Sequence, residues 1–299
     1  MVEKKPNFLV IGAMKAATTS LYTYLKQHPE IFMTKVKEPM FFNNFHQDNN
    51  YKILGSKRNR LTTLNEYLAM FNDVKNEKAI GEASPSYIYN QKAPQLIKEH
   101  LPNVKIIAIL RQPTDRAYSN YLHSKRADRE NVTSFKEAIA LENKRIENNW
   151  SPLYHYIEKG YYSVQLKRYF DLFSEKNIKI YLFEDVVKNT KETLKDIFKF
   201  LEVDENVEID TSKKANVSGV YIGVSKATKN MATSITPDEK FIWFLYPIVK
   251  NLLTLDKVDE AKSWLFLISE NHKNRAALDI NFSKALLLLY IKDKDTTTS

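Results

Sequence analysis

Short apolar runs alternate with helix-length stretches along the first two-thirds of the chain, and this rhythm narrows the fold more than any other feature. Phe8–Ile11, Ala79–Glu82, Val104–Leu110 and Ile178–Phe183 are runs of four to seven residues. Runs with no polar alternation are strands covered on both faces, as in a parallel sheet. Between and after them the spacing predicts helices over Thr18–Gln27, Leu64–Phe71, Pro94–His100, Thr114–Arg126, Phe135–Asn148, Ser163–Phe173 and Thr190–Leu201. In the last of these, Leu194, Ile197, Phe198 and Leu201 form the stripe of a helix with one buried face. The alternation argues for the α/β class, a parallel sheet flanked by helices. Residues 7–225 read as the α/β core and 226–299 as a C-terminal helical extension, so that 1–299 is a single domain.

Composition matters here mainly for what it excludes. The 299 residues contain no cysteine, which removes a disulfide scaffold, a thiol nucleophile and a cysteine-held metal. The six histidines do not stand at metal-ligand spacing, and no metal is expected. An excess of 45 basic over 36 acidic residues gives +9, which suits anionic partners. Only nine of the basic residues are arginines, and they do not cluster with aromatics, so nucleic acid is not expected. Phe8–Ile11 is too short for a signal peptide. The apolar segments Phe241–Val249 and Ala285–Ile291 fall well below the ~20 residues of a membrane span. The expectation is a soluble, cytoplasmic protein without stable membrane insertion. The aromatic stretch Phe241–Leu253 reads either as a helical core or as a wall of a ligand pocket.

Three segments carry chemistry. After the first strand, Gly12-Ala-Met-Lys-Ala-Ala-Thr-Thr19 leads into a helix. A loop there aims backbone N–H groups at whatever lies in front, and the helix dipole adds positive character. Lys15 adds a full charge, and Thr18 and Thr19 add hydroxyls. The plainer alternative is that a threonine caps the helix and Lys15 is solvated. The loop lacks the terminal Gly-Lys-Ser/Thr of a Walker A motif. At the end of the strongest strand stands Arg111, where P-loop kinases and ATPases often carry a metal-holding acid. Arginine cannot hold a metal but can clasp a phosphate. Ser119 follows in the next helix, and an Arg111–Asp115 ion pair is the competing reading. In Lys35-Val-Lys-Glu-Pro-Met-Phe-Phe42, Pro39 biases Glu38 toward an extended backbone. Lys35 and Lys37 would keep that carboxylate ionised, either as a base or as a surface ion pair.

Together these segments resemble the sulfotransferases that use 3′-phosphoadenosine-5′-phosphosulfate (PAPS), in the branch of the heparan sulfate enzymes and their bacterial relatives. FLVIGAMKAATTSLYTYLKQHP resembles that family's 5′-phosphosulfate loop and helix, KEPMFF its catalytic-base segment, GEASPSYIY its substrate-side segment and ILRQPTDRAYSNYLH its 3′-phosphate loop. LFEDV at 182–186 resembles the next strand end, and the likeness covers roughly 7–225. It implies a P-loop-like fold and in-line transfer of a sulfuryl group from PAPS to a hydroxyl or amine, leaving adenosine 3′,5′-bisphosphate. The acceptor would be a small-molecule natural product or a carbohydrate. Lys15, Ala16, Ala17, Thr18, Thr19 and Ser20 would hold the 5′ end of the donor, and Arg111 and Ser119 its 3′-phosphate. Glu38 would be the base, with His123 its rival. The late cofactor loop falls in Lys213–Tyr221, with Lys214 and Tyr221 as its binding residues and Lys226 or Lys229 as alternatives. Three residues depart from the pattern: Ala17 replaces a usual glycine, and on the acceptor side Met40 replaces a histidine and Ser84 a lysine of the heparan enzymes, which argues against a heparan-like acceptor. A nucleotide-dependent small-molecule kinase and a basic module that binds polyanions are the competing functional readings.

Overall fold

Five parallel strands form the sheet: β1 (Phe8–Gly12), β2 (Ile31–Met33), β3 (Ala79–Ala83), β4 (Lys105–Leu110) and β5 (Ile178–Leu182), in the order β2-β3-β1-β4-β5. The computed structural model describes residues 4–45 and 61–212. Apart from Gln112–Thr114, these belong to one compact unit. The expected extension at 226–299, including Phe241–Leu253, lies outside the described residues.

β1 is central and wholly buried, as its unbroken apolar run requires. Val10 lies opposite Ala83 on one side and Ile107 on the other. Beyond Val10 the register with β4 shifts, and Gly12 comes level with Ala108. Glycine is needed there: a Cβ on Gly12 would lie 2.6 Å from the Ile88 side chain.

Ten α-helices accompany the sheet among the described residues. They are α1 (Thr18–Leu25), α2 (Phe41–Asn44), α3 (Leu64–Ala69), α4 (Ala93–His100), α5 (Pro113–Arg126), α6 (Phe135–Ala140), α7 (Glu142–Glu147), α8 (Tyr162–Phe170), α9 (Phe183–Lys188) and α10 (Thr190–Leu201). Proline in the first turn of α4 sits where no intrahelical N–H is lost. The stripe predicted on α10 is buried, each of Leu194, Ile197, Phe198 and Leu201 at 5% exposure or less. Each such side chain contributes roughly 1.5–3 kcal/mol.

The expected helix 135–148 is two helices, broken at Leu141, which closes α6 and opens α7. The break lets the Glu142 carboxylate accept the backbone N–H groups of Ile157 and Glu158 at 2.7 and 2.8 Å. A second apolar cluster, around Ala117, Tyr121, Ala138 and Tyr156, supports α5 separately from the sheet core. Beside it the buried Arg145 and Glu130 form a two-pronged ion pair at 2.7 and 2.8 Å, and the Tyr156 hydroxyl donates to the same carboxylate. Among the described residues no helix is long and apolar enough to cross a membrane.

Candidate active site

The three central strands, β3, β1 and β4, run parallel. Their carboxyl ends therefore lie side by side, and the candidate residues gather there. The β1–α1 loop is a tight turn in which the Ala16 N–H donates to the Ala13 carbonyl at 3.2 Å. Lys15 and Ala17 both take left-handed backbone angles, with φ of 69° and 59°. Alanine is a poor residue for that conformation and glycine an easy one. The loop therefore keeps the shape that a glycine would favour at position 17.

Helix α1 begins after Ala17 with no side-chain cap. Thr18 is buried, and the Thr23 hydroxyl donates to the Thr19 carbonyl rather than either threonine closing the helix end. The capping alternative for Thr18 and Thr19 is thereby removed. By helix geometry the first-turn N–H groups have no carbonyl behind them and point out of the helix end. Thr18, Thr19 and Ser20 stand in that first turn, with Ala17 before it, whereas the Ala16 N–H is spent on the Ala13 carbonyl.

Arg111 follows β4 and reaches across to this loop. Its Nη1 donates to the Lys15 carbonyl at 3.1 Å, and its guanidinium lies 4.5 Å over the Phe183 ring. The Tyr162 hydroxyl donates to the Arg111 carbonyl at 3.0 Å. The Arg111 Nε is buried with no partner in the structure. A guanidinium held in this way keeps one N–H that can donate to an acceptor oxygen. Ser119 is buried on α5, with His123 one turn later on the same helix.

The electrostatics bring Lys15, Glu38 and His123 to one place. Burial lowers the pKa of Lys15, Arg126 lowers it further, and Glu38 opposes them; Arg111 and Lys37 add smaller downward pushes. Burial also lowers His123, followed by the Lys15, Arg126 and Arg129 cations, again with Glu38 opposing. These influences all favour the neutral imidazole except that of Glu38. Arg126 is the residue the sequence reading missed. It stands seven residues after Ser119 and three after His123, a helical spacing that marks one face.

Two expectations for the base segment need correction. Glu38 is not extended: its φ is 60°, and that of Met40 is 52°. Hydrogen bonds override the preference that Pro39 sets, because the Glu38 N–H donates to the Ala83 carbonyl at 3.1 Å and the Met40 N–H to Ser84 Oγ at 3.0 Å. Such backbone strain costs on the order of 1–3 kcal/mol per residue. Lys35 does not flank Glu38; it pairs with Asp73 at 2.6 Å, and Lys37 forms an ion pair with Glu38. Lys213, Lys214, Tyr221, Lys226 and Lys229 lie outside the described residues.

A family model described as "Sulfotransferase domain" matches residues 5–234. The chain is 35% identical over 116 residues to the membrane-associated sulfotransferase kil1 of Dictyostelium discoideum, covering 39% of this chain and 22% of that protein. It is 28% identical over 250 residues to human carbohydrate sulfotransferase 15, covering 66% of this chain and 43% of that protein. The chain thus spans less than half the length of these curated relatives. A crystal structure of a sulfotransferase from Alicyclobacillus acidocaldarius is 35% identical with a TM-score of 0.66, over 71% of this chain and 87% of that one.

Proposed function

This chain belongs to the sulfotransferase family, and from that premise we propose that it moves a sulfuryl group from PAPS to a hydroxyl or amine of a small-molecule or carbohydrate acceptor. The observation that carries the reading is the convergence of Lys15, Glu38 and His123 beside an uncapped helix N-terminus that Arg111 braces. Three further cations, Arg126, Arg111 and Lys37, act on Lys15, against the one carboxylate of Glu38. That balance suits a donor carrying several negative charges.

Each residue then has a distinct task. The loop N–H groups and Lys15 stabilise charge that builds on the departing phosphate. Arg111 and Ser119 seat the 3′-phosphate, which orients the donor and takes no part in bond making. Glu38 accepts the proton of the attacking hydroxyl or amine. His123, close to Glu38, orients the acceptor. The reaction resembles phosphoryl transfer in being mostly positioning and electrostatics. Arg111 stands where a nucleotide kinase would carry its metal-binding acid, which weighs against the kinase reading.

The acceptor class we favour is a hydroxylated or amine natural product, and the setting the cytoplasm, since a chain without cysteine needs no oxidising compartment. The test is a PAPS-consumption screen against hydroxylated and amine metabolites and sugars, alongside calorimetry with adenosine 3′,5′-bisphosphate and with Mg-ATP. Binding of the bisphosphate together with turnover of one acceptor is expected. Tighter binding of Mg-ATP would overturn the reading in favour of a kinase.

A further inference from the structure

The Glu38 segment is pinned at alternate residues by groups from the end of β3. The Glu38 N–H donates to the Ala83 carbonyl, the Met40 N–H to Ser84 Oγ, and the Phe42 N–H to Tyr87 Oη at 3.4 Å. Ser84 Oγ, having accepted from Met40, donates its own proton to Glu82 Oε2 at 2.9 Å. The other oxygen, Glu82 Oε1, is buried with no hydrogen-bond partner in the structure, so Ser84 supplies the hydrogen bond that the carboxyl accepts. The middle anchor, Ser84, is therefore itself held by the Glu82 side chain.

That side chain is unusual. Glu82 is fully buried, and no cation pairs with it among the described residues. Burial raises its pKa to about 7, and the hydroxyls around it lower it only in part. A carboxyl in such surroundings is costly to keep, and a strand of apolar residues would pack as well without it. What it contributes is direction. A serine hydroxyl turns freely unless something takes its proton. With Glu82 accepting that proton, the Ser84 lone pairs are aimed at Met40.

We infer that Glu82, acting through Ser84, is a positioning residue that fixes the backbone on either side of Pro39 and so holds the Glu38 carboxylate over the β1–α1 loop. This rests on Glu38 being the base of the proposed sulfuryl transfer. Glu82 touches neither donor nor acceptor. Its oxygen is needed as a hydrogen-bond acceptor, and its charge is not.

The variants separate these roles. Ser84→Ala removes the link and should lower kcat by ~10–100-fold, the scale of losses from small misplacements, with bisphosphate affinity and donor KM unchanged. Ser84→Thr keeps the hydroxyl and should retain most of kcat. Glu82→Gln keeps an accepting oxygen and should stay within about threefold, whereas Glu82→Leu should match Ser84→Ala. Hydrogen exchange at the amides of Glu38, Met40 and Phe42 should quicken in Ser84→Ala and not in Ser84→Thr. Unchanged exchange and kcat in Ser84→Ala would overturn the inference, as would Ser84→Thr failing like Ser84→Ala. Should the unmodified protein neither bind the bisphosphate nor consume PAPS, the functional reading fails instead, and the exchange measurements still decide whether Ser84 positions this segment.

Discussion

Replacing Lys15 with methionine should make this protein slower and more stable at once. The lysine is held among Arg126, Arg111 and Lys37, with Glu38 the one opposing charge, and burial is the largest influence on it. All but Glu38 disfavour the ammonium in the folded state. A lysine whose folded pKa lies below its unfolded value near 10.4 destabilises the fold at neutral pH, because the unfolded chain holds the proton more readily. Lys15→Met removes that cost and keeps the stem length. The left-handed angle at position 15 is unchanged, since neither residue is glycine. The melting temperature of the free protein should rise by about 1–3 °C, on a scale of ~2–4 °C per kcal/mol for a chain of this size. Catalysis should move the other way. Losing one electrostatic donor at the site of developing charge typically costs ~10²–10³ in kcat. The assay is paired: thermal unfolding without ligand at pH 7, and PAPS turnover with an acceptor that the unmodified protein uses. A variant with kcat within threefold of the parent would refute the role. A lowered melting temperature would refute the electrostatic account of the loop.

Glu38→Gln should lower kcat by ~10²–10⁴ while bisphosphate affinity by calorimetry stays the same; if His123→Ala loses the rate and Glu38→Gln does not, the base is His123. Arg145→Met should destabilise the fold by about 3–5 kcal/mol in urea unfolding, because it strands the buried Glu130 carboxylate; a loss below ~1 kcal/mol would contradict this. Lys159 is pushed down to about 7, first by burial and then by Arg116. Between that value and ~10.4 the unfolded chain binds a proton that the native one does not, so stability should climb as pH rises from ~7 to ~10, by up to about 4 kcal/mol. Lys159→Met should flatten the climb, and an equally steep climb in the variant would exclude the assignment.

The strands were legible because each is an apolar run too short for a helix, and Phe8–Ile11 and Val104–Leu110 sit within a residue or two of the observed β1 and β4. The strand order was not, because it depends on which crossovers pack together rather than on any one segment. β2 escaped notice because three residues, Ile31–Met33, carry no period. Lys15, Arg111, Ser119 and His123 could be nominated from their places at a strand end, a loop and one helix face. The backbone of Glu38 could not, since Pro39 argues locally for an extended chain while Ala83 and Ser84, over forty residues later, impose the opposite. Glu82 was hidden for a similar reason: within GEASPSYIY it looks like any polar strand residue, and only the packed core shows that it is buried.

The hydrogen bond from Arg111 to the Lys15 carbonyl has a metrical consequence. Under the proposed function it joins the seat for one phosphate to the loop that would grip the other, so the two cannot drift apart independently. The span between them would then be a fixed length, and the pair would work as a caliper set for one nucleotide. A molecule with its anionic groups spaced differently would fit one jaw and miss the second. Discrimination of that kind requires no obstructing side chain, and recalibrating it would require moving a strand end.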